Sequence, residues 1–366
     1  MELMVALALS LLIVAALTQL FSNVTGSARE MAKTNTQIES ARYAMQMLRR
    51  DIIHAGSWGS HVPEFDRLMF NDTVTDAPAI IPDPCLDFAS WPDATTPGHI
   101  DALLGVPVQA YEGSPSTNCD TLLTGESALA GTDVLVVRHA ETCAAGDTNC
   151  APDAAGPLYF QASNCATELP PTGSTYYALD PNSYPLTERD CTTPAAKRRF
   201  VQNIYFIRNN ADGVPSLYRS EYGGVASGTL GQLPAEELIP GVERFRVELG
   251  VDSLSETGAA VDYTATVNWQ DASVWTVATN RGDGIPDGPF VHCSAATPCT
   301  VGQFVNTTAI KVYLLVRADQ ATPGYVDTKT YDLGGLSLAA FNDNFKRHVF
   351  SSTMRVNNVA ARRETP

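Results

Sequence analysis

The sequence predicts an α+β fold, with one long N-terminal helix packed on an antiparallel β-sheet head that carries large loop insertions. Three observations predict it. Residues 3–21 form an apolar run without a charge. A second apolar stripe, at helical spacing, follows between residues 38 and 52. Beyond residue 60 the chain turns to short β-rich runs between clusters of Gly, Pro, Asp and Ser.

The first run is interrupted only by Ser10, Thr18 and Gln19. As a helix it reaches about 28 Å, close to the thickness of a bilayer core. A secretory signal would start basic, carry a shorter apolar core and end at a small-residue cleavage site. Here Glu2 stands in front of the run instead. A carboxylate entering hydrocarbon is costly unless paired, so Glu2 needs a partner charge, which a bundle of such helices can supply. Further on, Ile38, Ala41, Met45, Leu48 and Ile52 recur at steps of three and four and share one helix face. Arg29, Lys33, Arg42, Arg49 and Arg50 lie off that face. One helix is therefore expected from about residue 2 to 54, bent near Gly26. Residues 1–25 form its membrane or bundle half and 26–56 its amphipathic half, with the 38–52 stripe against the head. His54-Ala-Gly-Ser-Trp-Gly stops it with two glycines.

Residues 57–366 form the head. Segments 62–130 and 164–198 read as loop-rich insertions, punctuated by Pro82, Pro84, Trp91-Pro-Asp and Pro170-Pro171. Strands are expected at 133–139, 158–161, 200–208, 216–219, 242–251, 263–269, 310–317 and 348–356. Asn209-Asn-Ala-Asp-Gly213 turns a hairpin between two of them. Together they form one antiparallel sheet with a face on the helix.

Eight cysteines, Cys85, Cys119, Cys143, Cys150, Cys165, Cys191, Cys293 and Cys299, are scattered through polar segments without a C-x-x-C or zinc spacing. An even number in this setting suits disulfides and an oxidising compartment. The sequence leaves roughly a hundred complete connectivities open. The expectation adopted is pairing of neighbours: Cys85 with Cys119, Cys143 with Cys150, Cys165 with Cys191 and Cys293 with Cys299. The formal net charge of −16 argues against nucleic acid as the main partner.

No hydrolase elbow, P-loop or metalloprotease motif is present, and the six histidines stand in no catalytic pattern. The expectation is a chain without enzymatic activity and without a cofactor. One glycine-rich turn, Asn280-Arg-Gly-Asp-Gly-Ile-Pro-Asp-Gly288, offers Asp283 and Asp287 as oxygen ligands for calcium. It is too short for an EF-hand loop, and a plain turn explains the same residues. Lys346-Arg-His348 and Lys197-Arg-Arg199 are the tight basic clusters, read as charge blunting strand edges.

Glu2-Leu-Met-Val-Ala-Leu-Ala-Leu resembles the N-terminus of type IV pilins and pseudopilins. Leu48-Arg-Arg-Asp-Ile-Ile-His-Ala-Gly-Ser-Trp-Gly resembles the helix end of PilW-type minor pilins. The segments 238–252, 310–317 and 345–358 resemble that family's central and C-terminal strands. The resemblance implies a pilin-like fold and a structural subunit that joins other minor pilins and the major pilin through its N-terminal helix, with Glu2 offsetting a neighbour's terminal amine. It implies a single-pass inner-membrane protein with a periplasmic head, extracellular after assembly, serving pilus functions such as adhesion and twitching motility. J-type pseudopilins of type II secretion, and a tip adhesin or DNA-uptake subunit, are the alternatives. The family carries a basic leader, cleaved before an N-methylated residue, and places the acid fifth in the mature chain. Here it is second, so the expectation is a start further upstream, with Met1 read from a GTG valine codon.

Overall fold

The computed structural model describes residues 2–66, 74–92, 98–123, 129, 131–169, 176–224, 229–263, 265 and 280–364. Helix α1 (Glu2–His54) is a single element of 53 residues, about 80 Å long at the usual rise. Helical hydrogen bonding runs through Gly26 without a break. In the apolar half, the hydroxyls of Ser10, Thr18 and Thr25 donate back to the carbonyls of Leu7, Val14 and Phe21. They bring no unsatisfied donor into an apolar environment.

The face of α1 that meets the head is rotated slightly from the apolar stripe. Its buried residues are Gln37, Ala41, Ala44, Leu48, Asp51 and Ile52. Ile38 is half-buried, and Met45 packs against the core from its margin. The chain then leaves the helix at Gly56, whose φ is +73° and whose N–H donates to the Arg138 carbonyl at 2.9 Å. A Cβ there would stand 3.3 Å from Pro107 and Val359, so both the left-handed backbone and the close approach call for glycine.

Among the described residues the head holds a larger sheet, a smaller sheet and a two-stranded hairpin, rather than one sheet. The larger runs in the order β1 (Val108–Glu112), β2 (Asp133–Ala140), β5 (Lys197–Asn209), β3 (Tyr159–Ala162), β4 (Tyr177–Asp180). On the second half of β5 it continues through β6 (Pro215–Gly224), which pairs with β7 (Leu230–Gln232) and β8 (Glu236–Pro240). The smaller sheet has β10 (Thr307–Arg317) between β9 (Val242–Val251) and β13 (Arg347–Arg355). A hairpin, β11 (Tyr331–Leu333) and β12 (Leu336–Leu338), packs with it. Short helices α2 (His99–Gly105), α3 (Asp120–Leu123), α4 (Val301–Val305) and α5 (Asn357–Arg363) fill the joints.

The split follows from strands that are apolar on two faces, which a single sheet against one helix could not cover. On β10, Ile310, Val312, Leu314 and Val316 face the main core, while Tyr313 and Leu315 lie under the β11–β12 hairpin. The main core draws Ala41, Ala44, Leu48 and Ile52 from α1, Leu135, Val137 and Tyr205 from the larger sheet, and Phe245, Val247 and Leu249 from β9. A side-chain bond stitches the sheets together: the Val247 N–H donates to Asp133 Oδ2 at 2.7 Å. Segments 62–130 and 164–198 are not loop alone, since they supply the edge strands β1 and β4. Most of the strand expected at 263–269 falls outside the described residues, and Tyr263 itself lies in a turn.

Candidate functional site

Two surfaces of α1 carry the structural signals for function. The first is its N-terminal half. Glu2 and the residues after it, as far as Val24, are exposed along the whole helix. This is one helix long and apolar enough to cross a membrane, and none of its most apolar window is buried against the head. A bare apolar surface of this size marks a partner or a membrane. Glu2 stands at the start of this surface, exposed.

The second surface is the junction with the head. It is pinned by polar residues as well as by packing. Glu30, half-buried, accepts from Lys346 Nζ at 2.6 Å, Lys33 Nζ at 2.9 Å and Thr322 Oγ1 at 2.8 Å. The Lys346 bond above all, then those from Lys33 and Thr322, hold its carboxyl down at about 2. Gln37, one heptad further, donates Nε2 to the carbonyls of Val316 and Lys346 at the end of the smaller sheet. Asp51, two heptads on, is the acceptor of a buried knot. His139 Nε2 lies 2.9 Å from Oδ1, and Asn203 Nδ2 and Tyr205 OH donate to Oδ2 at 3.0 and 3.1 Å. Burial alone would lower the His139 pKa, but the hydrogen bond and charge of Asp51 outweigh it and hold the imidazole above its usual value.

Glu30, Gln37, Ala44 and Asp51 are spaced by seven residues, which keeps them on one helix face. The apolar stripe at Ile38, Ala41, Met45, Leu48 and Ile52 includes none of the four. The seven-residue spacing was the signal that could have found them.

The cysteines close into four disulfides between sequence neighbours: Cys85–Cys119, Cys143–Cys150, Cys165–Cys191 and Cys293–Cys299. No thiol is left free. Asp83 stands beside Cys85 and Cys119, but those sulfurs are bonded to each other, so the cluster is no thiolate metal site. In the 280–288 turn, Asp283 accepts from the Ile285 N–H at 2.8 Å. Asp287 accepts from the Ser253 and Leu254 N–H groups at 2.8 and 2.7 Å. Both carboxylates serve the backbone there.

The basic cluster at 346–348 is not simply a solvated edge. Lys346 holds Glu30, and the buried Arg347 guanidinium holds Glu243, Asp327 and Asp343 at 2.5–2.9 Å. This ties β13 to the junction on α1. In the other cluster, Lys197 pairs with Asp153 at 2.7 Å and Arg199 lies 3.6 Å from Glu221.

A family model described as type IV pilus-assembly protein W matches residues 204–358. That span runs from within β5 to the first residues of α5 and contains the whole smaller sheet. No curated protein and no solved structure matches the chain.

Proposed function

We propose that the chain is a PilW-type protein that takes part in type IV pilus assembly, and that within it the chain is a minor pilin, a structural and non-catalytic subunit. One observation carries the reading. A single unbroken helix leaves its apolar half bare and uses its other half to hold a head that contains the PilW-type segment. Before assembly the bare half crosses the inner membrane, with the head on the periplasmic side. The four disulfides suit that oxidising side. On assembly the same half enters a bundle of helices from other minor pilins and the major pilin. Glu2 then meets the terminal amine of a neighbour, which offsets its cost in an apolar core.

The test is Glu2→Ala and Glu2→Lys in the intact chain. Both variants should keep the melting temperature of the head and the four disulfides, and both should lower the amount of the chain recovered in sheared pili and the number of pili per cell. Normal incorporation and normal pilus numbers would overturn the assignment.

A further inference from the structure

The free edge of the smaller sheet is the longest unprotected strand edge among the described residues. β13 pairs with β10 over nine consecutive residues without a register shift, whereas β9 pairs with the same strand through two shifts. Its polarity can be read from the ends of the ladder. The Ala318 N–H donates to the Lys346 carbonyl and the Val356 N–H to the Thr308 carbonyl, each at 2.8 Å and each continuing the β13–β10 register. Antiparallel strands alternate their bonding direction. His348, Phe350, Ser352 and Met354 therefore bond inward to β10. Val349, Ser351, Thr353 and Arg355 point their N–H and C=O groups outward. No backbone bond among the described residues reaches those groups.

The other edges are short or covered. β4, β7 and β8 have four, three and five residues, and β8 ends in Pro240. On β9, Val291 and Leu249 exchange two backbone bonds. On β1, the Glu112 N–H donates to the Cys293 carbonyl at 3.0 Å. β13 has no proline and no bulge, and small Ser351, Ser352 and Thr353 stand at its centre.

We infer that the outer edge of β13 receives an extended, acidic strand from another protein of the pilus assembly, by addition to the sheet. The charge argues for that occupant. β13 carries Arg347, His348 and Arg355 and no acid, on a chain whose formal net charge is −16. Arg347 is turned inward, but Arg355 is exposed, and Lys311 of β10 stands opposite Thr353. Arg355 pairs with Glu364, a surface contact that an incoming acid can replace. A second copy fits poorly, because β13 itself carries no acid to set opposite Arg355. The partner's identity as a pilus component rests on the minor-pilin reading; the edge itself does not.

The test has two arms. In the first, amide hydrogen exchange is followed in the full chain, alone in detergent and then in isolated pili. Alone, Val349, Ser351 and Thr353 should exchange at least tenfold faster than Phe350, Ser352 and Met354; in pili the three outward amides should become protected. Outward amides that stay fast in pili overturn the inference and leave the minor-pilin reading standing. Outward amides already protected in the chain alone, in a concentration-dependent way, point to a second copy and overturn it too. In the second arm, a nine-residue peptide alternating Glu and Val is titrated onto the full chain. It should bind at least tenfold more tightly than its Lys–Val counterpart or a version N-methylated at alternate amides. Ser351→Pro, which removes an outward N–H, should weaken binding at least tenfold without moving the melting temperature. No binding, or equal binding of all three peptides, overturns the inference. This arm does not depend on whether the chain enters pili.

Discussion

In the first half of α1 the large apolar side chains from Leu3 to Val24 are each 57–77% exposed. In the second half the same helix buries two alanines, a leucine and an isoleucine together with Gln37 and Asp51. The two halves share one backbone and differ in what their side chains must satisfy. Apolar side chains without directional bonds suit a surface that has to exchange lipid for neighbouring helices. A head that must stay in one orientation on its helix needs contacts with a fixed geometry, which hydrogen bonds to buried polar groups provide. The head therefore depends on three polar pins that a smooth apolar stripe would lack.

The comparison breaks most sharply at Asp51. Asp51→Ala leaves His139, Asn203 and Tyr205 without their common acceptor. Removing one member of a buried pair costs about 3–5 kcal/mol, and the slight exposure of this one favours the lower figure. Thermal melting should show that loss, with membrane fractionation unchanged. The reverse pattern is expected in the bare half. Leu11→Arg places a charge near the middle of the apolar run, at a cost of about 2.5–3.5 kcal/mol for insertion. It should release the chain from carbonate-washed membranes and leave the melting of the head where it was.

Two smaller effects sharpen the contrast. Gln37→Ala removes a donor from the Val316 and Lys346 carbonyls and should lower stability by about 1 kcal/mol. pH should act through His139. Its pKa is raised in the fold, so the stability it contributes is complete below about 6.5, the unfolded value. That contribution is lost as pH rises through the folded value. Melting curves of the protein and of His139→Gln should therefore converge as pH is raised from 6 to 9. A constant gap across that range would show that the charged pair with Asp51 is not what the imidazole contributes.

The architecture was largely legible in the sequence. The helix spans 2–54 as its periodicity implies, and β9 matches the 242–251 run. The motifs at 238–252, 310–317 and 345–358 all fall inside the span matched by the PilW-type family. What stayed hidden has physical reasons. β1 is a five-residue strand, Val-Gln-Ala-Tyr-Glu, whose Gln109 is buried by bonding to the Pro82 carbonyl and to Arg138. Such a residue reads as polar until its partners, distant in sequence, are in place. Asp51 is invisible for the same reason, because its partners come from β2 and β5. The division into two sheets depends on which strand faces find a cover, and that is settled by tertiary packing rather than by local pattern.

The most direct measurement is on residues 28–366, from which the bare half of α1 has been removed. If the two halves are independent, as their contacts indicate, this fragment should be soluble without detergent, form the same four disulfides, and melt within a few degrees of the full chain in detergent. A fragment that is unfolded, or that needs detergent to stay in solution, would contradict the claim that the head is held by residues 30–54 of α1 alone.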